Sequence, residues 1–233
     1  MINELKHNKP GLTQETSFEK IHNVIFNNSI EGSKAVAREI ADLITKKKNK
    51  KENCVLGLAT GSSPITIYEE LVKIHRNEGL SFKNVITFNL DEYYPISIDN
   101  KESYHSFMHE HLFDHIDILE ENINIPKGGL KENEVKEFCK NYEKKISDVG
   151  GLDFQLLGIG RTGHIGFNEP GSNINSQTRL VTLDHITRYD AARAFYGIEN
   201  VPNKAITMGI KTILSAKRIV LLAWGINKSE IIK

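Results

Sequence analysis

Residues 154–170, FQLLGIGRTGHIGFNEP, decide how the rest of the chain is read. The first six residues, 154–159, are an apolar run of buried-strand length. Glycines at 158, 160, 163 and 166 let the backbone turn sharply and approach a ligand closely. His164 stands inside that turn, and Glu169 follows five residues later, just before Pro170. A histidine at a strand end, with a carboxylate near enough to orient its ring, is a unit for moving protons. A lone Gly-His pair would read more simply as a turn whose histidine satisfies loop backbone. Glycines, histidine and glutamate in one strand-end loop favour a site.

Upstream, residues 54–76, CVLGLATGSSPITIYEELVKIHR, read as a strand over 54–58, a tight loop, and a helix over 65–76. A strand feeding such a loop at a helix N-terminus is a general anion-binding arrangement. Around Gly61, backbone N–H groups and the hydroxyls of Thr60, Ser62 and Ser63 would face a phosphate. No Gly-Lys-Ser/Thr follows, so this is not a Walker loop, and GxGxxG is absent too. Ser62 or Ser63 could instead cap the helix, which does not exclude a ligand. Residues 85–90, VITFNL, read as a second buried strand running into Asp91-Glu92-Tyr93-Tyr94-Pro95. Asp91 then stands at a strand end, although an N-cap or surface role is open for either carboxylate. Downstream, AITMGI (205–210) and RIVLLA (218–223) read as strands. WGINKSEIIK (224–233) reads as a loop entering a helix, with Lys228 either a surface lysine or a point charge for a phosphate. A terminal helix of one turn could not hold itself, so the domain over 29–233 is expected to be truncated at its C-terminus. Strands alternating with helices predict an α/β fold with a doubly wound, mostly parallel, Rossmann-like sheet. Ligands bind beyond the carboxyl ends of such strands, so the Thr60 loop, Asp91 and His164 converge on one rim.

Thirty basic and thirty acidic side chains cancel across 233 residues, and no apolar run has the length of a membrane span. Neither a nucleic-acid partner nor a membrane is implied. The basic run KKKNKKEN (46–53) has no aromatics and reads as a solvated helix end. Cys54 and Cys139 lie in a predicted strand and a predicted helix, which is no disulfide framework and no zinc pattern, so a reducing cytoplasm is the expected setting. His105 and His109 have the i,i+4 spacing of zinc helices but the residues are HSFMH, not HExxH, and no metal is expected. Residues 1–28 carry little periodicity and read as a surface extension; helical spacing begins after Ser29 and returns over 103–113 and 132–149.

LGLATGSSP, FNLDEYY, LGIGRTGHIGFNEPGS, TRLVTLDHITR and WGINK occur in that order between residues 56 and 228. Together they resemble the glucosamine-6-phosphate deaminase (isomerase) family, and within it a bacterial subgroup in which such a domain precedes a deacetylase-like one. The resemblance implies conversion of glucosamine 6-phosphate to fructose 6-phosphate and ammonia, by a hydrolase of amino sugar phosphates needing no metal or organic cofactor. It implies that His164 shuttles the proton of ring opening with Glu169 orienting it, and that Asp91 carries a proton from C2 to C1. The phosphate would lie against Thr60, Gly61, Ser62 and Ser63, clamped by Arg193 and Lys228. The substrate is thus a small sugar phosphate, and a homo-oligomer is possible.

Two departures from the family pattern bear on chemistry. Thr162-Gly163-His164 stands where well-studied members read Asp-Gly-His, with Arg161 preceding it. A threonine hydroxyl cannot stabilise an imidazolium by charge, so slower ring opening or a different substrate is expected. Equal rates for wild type and Thr162→Asp on cyclic and open-chain substrate would refute this. Arg179 matches a residue of the family's N-acetylglucosamine-6-phosphate effector site, but Val181 stands where regulated members carry lysine. Activation by that effector is expected to be absent; a sigmoidal rate curve abolished by it would say otherwise. Two alternatives share parts of the pattern: a 6-phosphogluconolactonase-like hydrolase, and a non-catalytic sugar-phosphate sensor that keeps the phosphate contacts and loses the proton-transfer groups.

Overall fold

The computed structural model describes residues 21–232. Most of the expected extension over 1–28 lies outside them, and residues 21–28 form no helix or strand. The elements run α1 (Ser29–Asn49), β1 (Cys54–Leu58), α2 (Ile65–Glu78), β2 (Val85–Asn89), β3 (Asp91–Tyr94), α3 (Tyr104–His111), β4 (Ile123–Asn124) and α4 (Glu132–Asp148). Then follow β5 (Phe154–Gly158), β6 (Arg179–Thr182), α5 (His185–Ala191), β7 (Lys204–Thr207), α6 (Ile210–Leu214) and β8 (Ile219–Leu222).

Five strands form a parallel sheet in the order β4-β2-β1-β5-β8. Its inner strands are apolar runs because both faces are covered. Along β1, Cys54, Leu56 and Leu58 join a core shared with α1 and α2, while Val55 joins one shared with α4 and α6. On β5, Phe154 and Leu156 face the first core and Leu157 the second. Gln155 would have no room if β1 carried a side chain beside it: a Cβ on Gly57 would lie 2.0 Å from the Gln155 Oε1. Asn28 caps α1 by accepting from the Glu31 N–H, 2.9 Å. Gly79 ends α2 in the left-handed conformation, at φ 75°.

The doubly wound reading stands, with one addition. Residues 91–94 and 205–210 do not extend the parallel sheet. β3, β7 and β6 form a separate three-stranded antiparallel sheet, with Asp91 opposite Thr207. The chain leaves β2 through Leu90, whose N–H donates to the Leu58 carbonyl and whose carbonyl accepts from Met208 N–H. Asp91 is therefore the first residue of a strand, not a residue following one. Between Pro170 and α5 the chain also holds β6. The terminal segment forms a single 3-10 turn, Ile226–Lys228, where a helix entry was expected. No helix among the described residues is long and apolar enough to cross a membrane.

Candidate active site

Chain order in the sheet reverses between β1 and β5, since β2 continues to one side of β1 and β5 lies on the other. At such a switch point the loops leaving adjacent strands part and open a crevice. A cavity of about 220 Å³ lies there, lined by Thr60 to Ser63, Asp91, Tyr104, His164 and Lys228 among others. Its size suits a compact sugar phosphate better than a dinucleotide.

The Thr60 loop is shaped by Gly61, whose φ of 94° favours glycine. Helix α2 is capped by Pro64 without any side-chain cap, so Ser62 and Ser63 are not spent on capping. Below the loop the Tyr68 hydroxyl donates to the Ala59 carbonyl, and the Trp224 indole N–H donates to the Ser63 carbonyl at 3.2 Å. Lys228 reaches the same cavity from the far end of the chain, its ammonium held 2.6 Å from the Ile159 carbonyl. A helix N-terminus, free hydroxyls and one ammonium make this corner receptive to an anion.

The histidine loop closes on itself: Gly160 N–H donates to the His164 carbonyl, 2.8 Å, and Gly163 N–H to the Gly160 carbonyl, 3.0 Å. Gly160 is required here, since a Cβ on it would fall 2.1 Å from His164 Nε2. His164 Nδ1 lies 2.9 Å from Thr162 Oγ1 and 3.2 Å from Glu169 Oε2. The Thr162 hydroxyl donates its one hydrogen to Glu169 Oε2, 3.2 Å, so towards the imidazole it can only accept. Nδ1 therefore carries the proton and Nε2 is left as the acceptor. The other Glu169 oxygen accepts from the Thr187 hydroxyl on α5. Thr162 thus bridges histidine and glutamate without charge.

Asp91 is only 5% exposed, lines the cavity, and among the described residues receives no hydrogen bond on its carboxylate. Burial, and then the charge of Glu92, push its carboxyl well above the usual carboxylate range. Gly166 lets the carboxylate come close: a Cβ there would stand 3.1 Å from Asp91 Oδ2.

Arg193 is not brought to this site. It is exposed in the turn after α5 and absent from the cavity lining, which corrects its expected place beside Lys228. Arg161 turns outward to pair with Asp190 on α5, 2.8 Å. Arg179 donates to Asn168 Oδ1, 2.8 Å, and to Ser172 Oγ, 3.3 Å. His109 Nδ1 meets Asp114 Oδ1 at 2.8 Å. Three site residues were not anticipated. Tyr104 lines the cavity with its ring stacked on Phe167, Thr187 orients Glu169, and Glu92 holds the start of α3. Only Glu92 carried a signal, as the second carboxylate of DEYY.

Fold and site together describe an α/β class of protein with an anion-receptive loop on one side of a sheet-end crevice and a histidine–carboxylate pair and a buried aspartate on the other. The glucosamine-6-phosphate isomerase/6-phosphogluconolactonase family model matches residues 28–233, and the chain belongs to that family. It is 48% identical over 198 residues to a glucosamine-6-phosphate deaminase of Thermoanaerobacter sp. strain X514, covering 85% of this chain and 78% of that one. It is 48% identical over 218 residues to a glucosamine-6-phosphate deaminase-like protein of Bacteroides thetaiotaomicron; this covers 94% of the chain but only 33% of that relative's length. The solved structure of a monomeric glucosamine-6-phosphate deaminase superposes with a TM-score of 0.84 at 46% identity, covering 89% of this chain and 83% of that one. A 6-phosphogluconolactonase from Trypanosoma brucei, at 18% identity and a TM-score of 0.70, shares the fold alone.

Proposed function

We propose that the chain catalyses the isomerising deamination of glucosamine 6-phosphate to fructose 6-phosphate and ammonia. The observation that carries this reading is Asp91: a buried carboxylate without a donor, facing the cavity that also holds His164. A lactonase needs only an activated water, and a sensor needs no base at all. A base that must lift one proton and return it to a neighbouring carbon needs this raised proton affinity.

In this reading the phosphate lies on Thr60, Gly61, Ser62, Ser63 and Lys228. His164 Nε2 takes the C1 hydroxyl proton and returns it to the ring oxygen, while Glu169 and Thr162 hold Nδ1–H. Asp91 then removes the C2 proton of the open-chain aldehyde and delivers it to C1, while a proton passes from the C2 amine to the C1 oxygen, leaving an imine at C2 and a hydroxyl at C1. Water adds to C2 and ammonia departs, so the net reaction consumes water and is formally a hydrolysis. Arg193 can join the phosphate only if the segment after α5 moves inward. Without a carboxylate at Thr162, ring opening is slower than a charged partner would make it, or the substrate differs from the usual one.

Ammonia release from glucosamine 6-phosphate, run beside Asp91→Asn, tests the proposal. Release that collapses in the variant supports it. Sugar-phosphate binding without release would point to a sensor, and turnover of 6-phosphogluconolactone to the hydrolase. Membership of the subgroup with a deacetylase-like domain is also part of the reading; the Bacteroides relative is about three times the length of the matched region, which leaves room for a further domain, and assay of the native gene product for deacetylase activity tests it. Two free, buried cysteines suit the cytoplasm, which fractionation would check. One domain over 29–233 is also part of the reading, and assembly into oligomers is open to light scattering.

A further inference from the structure

We infer that Glu92 is a positioning residue of the proton-transfer site, fixing one wall of the cavity and biasing the neighbouring base, Asp91. The inference rests on the reading of Asp91 as that base. Glu92 is 2% exposed, and both its oxygens are engaged. Oε1 accepts from the N–H groups of Tyr93 and Tyr104, each at 2.9 Å, and Oε2 accepts from the His105 N–H at 3.0 Å. The capping residue of α3, Ser103, spends its hydroxyl on the Ser106 N–H, so the first two amides of the helix need another acceptor. Glu92 supplies it from a different element.

What α3 begins with gives this cap its consequence. Tyr104 is the first helical residue, its ring lies 5.9 Å from that of Phe167 at an interplanar angle of 6°, and its side chain lines the cavity together with Thr60. One carboxylate thus ties the strand bearing Asp91 to the helix bearing Tyr104. A second effect is electrostatic, because a like charge beside Asp91 in a buried place opposes its ionisation. Burial, against its three amide donors, pushes Glu92 up to about 7. The other titratable groups around the pair are Tyr93 on β3, Tyr104 and His105 on α3, Glu102 before α3, Tyr142 on α4, and His164 and Lys228 across the cavity. Of these, only Glu92 adds a like charge that raises Asp91.

Glu92→Gln removes the charge and keeps the shape, although its amide nitrogen can no longer accept from one side of the α3 start. Its acid limb of kcat/KM for ammonia release should move to lower pH, because Asp91 loses a like-charged neighbour and ionises more readily. On the acid side the variant should keep a roughly tenfold larger share of its own plateau rate than wild type does. Ser103→Ala is the control: it weakens the same helix start, so thermal stability should fall while the limb stays in place. Coincident limbs for wild type and Glu92→Gln, or equal displacement in Ser103→Ala, would overturn the inference. Carbon-13 NMR of the Asp91 carboxyl in the unaltered protein needs neither a folded variant nor turnover. Titration in two steps, one of them following Glu92, is expected, and a single step would overturn the coupling. If wild type releases no ammonia, the functional reading fails while the NMR titration still judges the pair.

Discussion

Each end of the parallel sheet buries an aspartate, and the two are treated in opposite ways. At the amino end, Asp153 precedes β5 and is 5% exposed, as Asp91 is at the carboxyl end. Asp153 accepts from the Val55 N–H at 3.0 Å and pairs with Lys47 at 2.9 Å and Lys217 at 2.7 Å. Burial pushes its carboxyl up, but the bonds from Lys217, Val55 N–H and Lys47 outweigh this and hold it below the ordinary range. Asp91 has the burial without the partners and is pushed up. A buried carboxylate given its donors by the fold braces the fold; one denied them keeps its affinity for a proton and can act on a ligand.

Exchanging the two roles by mutation is the most direct way to break the contrast. Asp91→Asn should lower the deamination rate by about a thousandfold, within the usual range for losing a general base. The same change should leave thermal stability at neutral pH equal or higher, because it removes a buried charge. Asp153→Ala should do the reverse. It leaves the Val55 N–H and Lys217 unpaired and Lys47 with Glu52 alone, and it should cost on the order of 2 kcal/mol, kept modest because Lys217 is largely exposed. Calorimetry would show the lower Tm, while ammonia release per folded molecule at low temperature should be unchanged. Equal stability of both variants would dissolve the comparison.

Acid sharpens it further. The folded-state affinity of Asp153 for a proton lies below its ordinary value of 3.8, so its contribution is present above that value and is lost as pH falls through the folded one. The affinity of Asp91 lies above 3.8, so its contribution is complete below 3.8 and is lost as pH rises through the folded value. Mild acidification from neutrality should therefore raise the Tm of wild type relative to Asp91→Asn. Only stronger acid should erase the advantage of wild type over Asp153→Ala. The smallest effect belongs to the anion loop, where Ser62→Ala should raise KM by roughly threefold to tenfold, as for one neutral hydrogen bond, with kcat held. A fall in kcat instead would place Ser62 among the reacting groups.

The sequence showed β1, β2 and β5, since strands covered on both faces are written as unbroken apolar runs, and it showed the edge strand β8 because IVLL is apolar although Leu221 is exposed. The small antiparallel sheet was less legible. β3 reads DEYY, with two carboxylates where a strand is expected to be apolar, and β6 is a half-covered RLVT. Asp91, His164, Glu169 and the Thr60 loop were visible because each lies shortly beyond a legible strand, β2, β5 or β1. Glu92, Tyr104 and Thr187 act through partners 12, 13 or 18 residues away, a distance at which no helix or strand period signals contact. Arg193 was misplaced for a related reason, since a motif fixes which residue follows α5 but not which way its turn faces.

The clasp between Trp224 and Ser63 joins residues 161 positions apart, and Lys228 crosses 69 positions to Ile159. On a ribosome adding about 5–20 residues per second, the anion loop would wait roughly 10–30 s for its indole. During that interval β1, α2 and β2 can already pair, but the loop between them has only its local support from Tyr68. The site is thus completed late in synthesis, after the sheet that frames it.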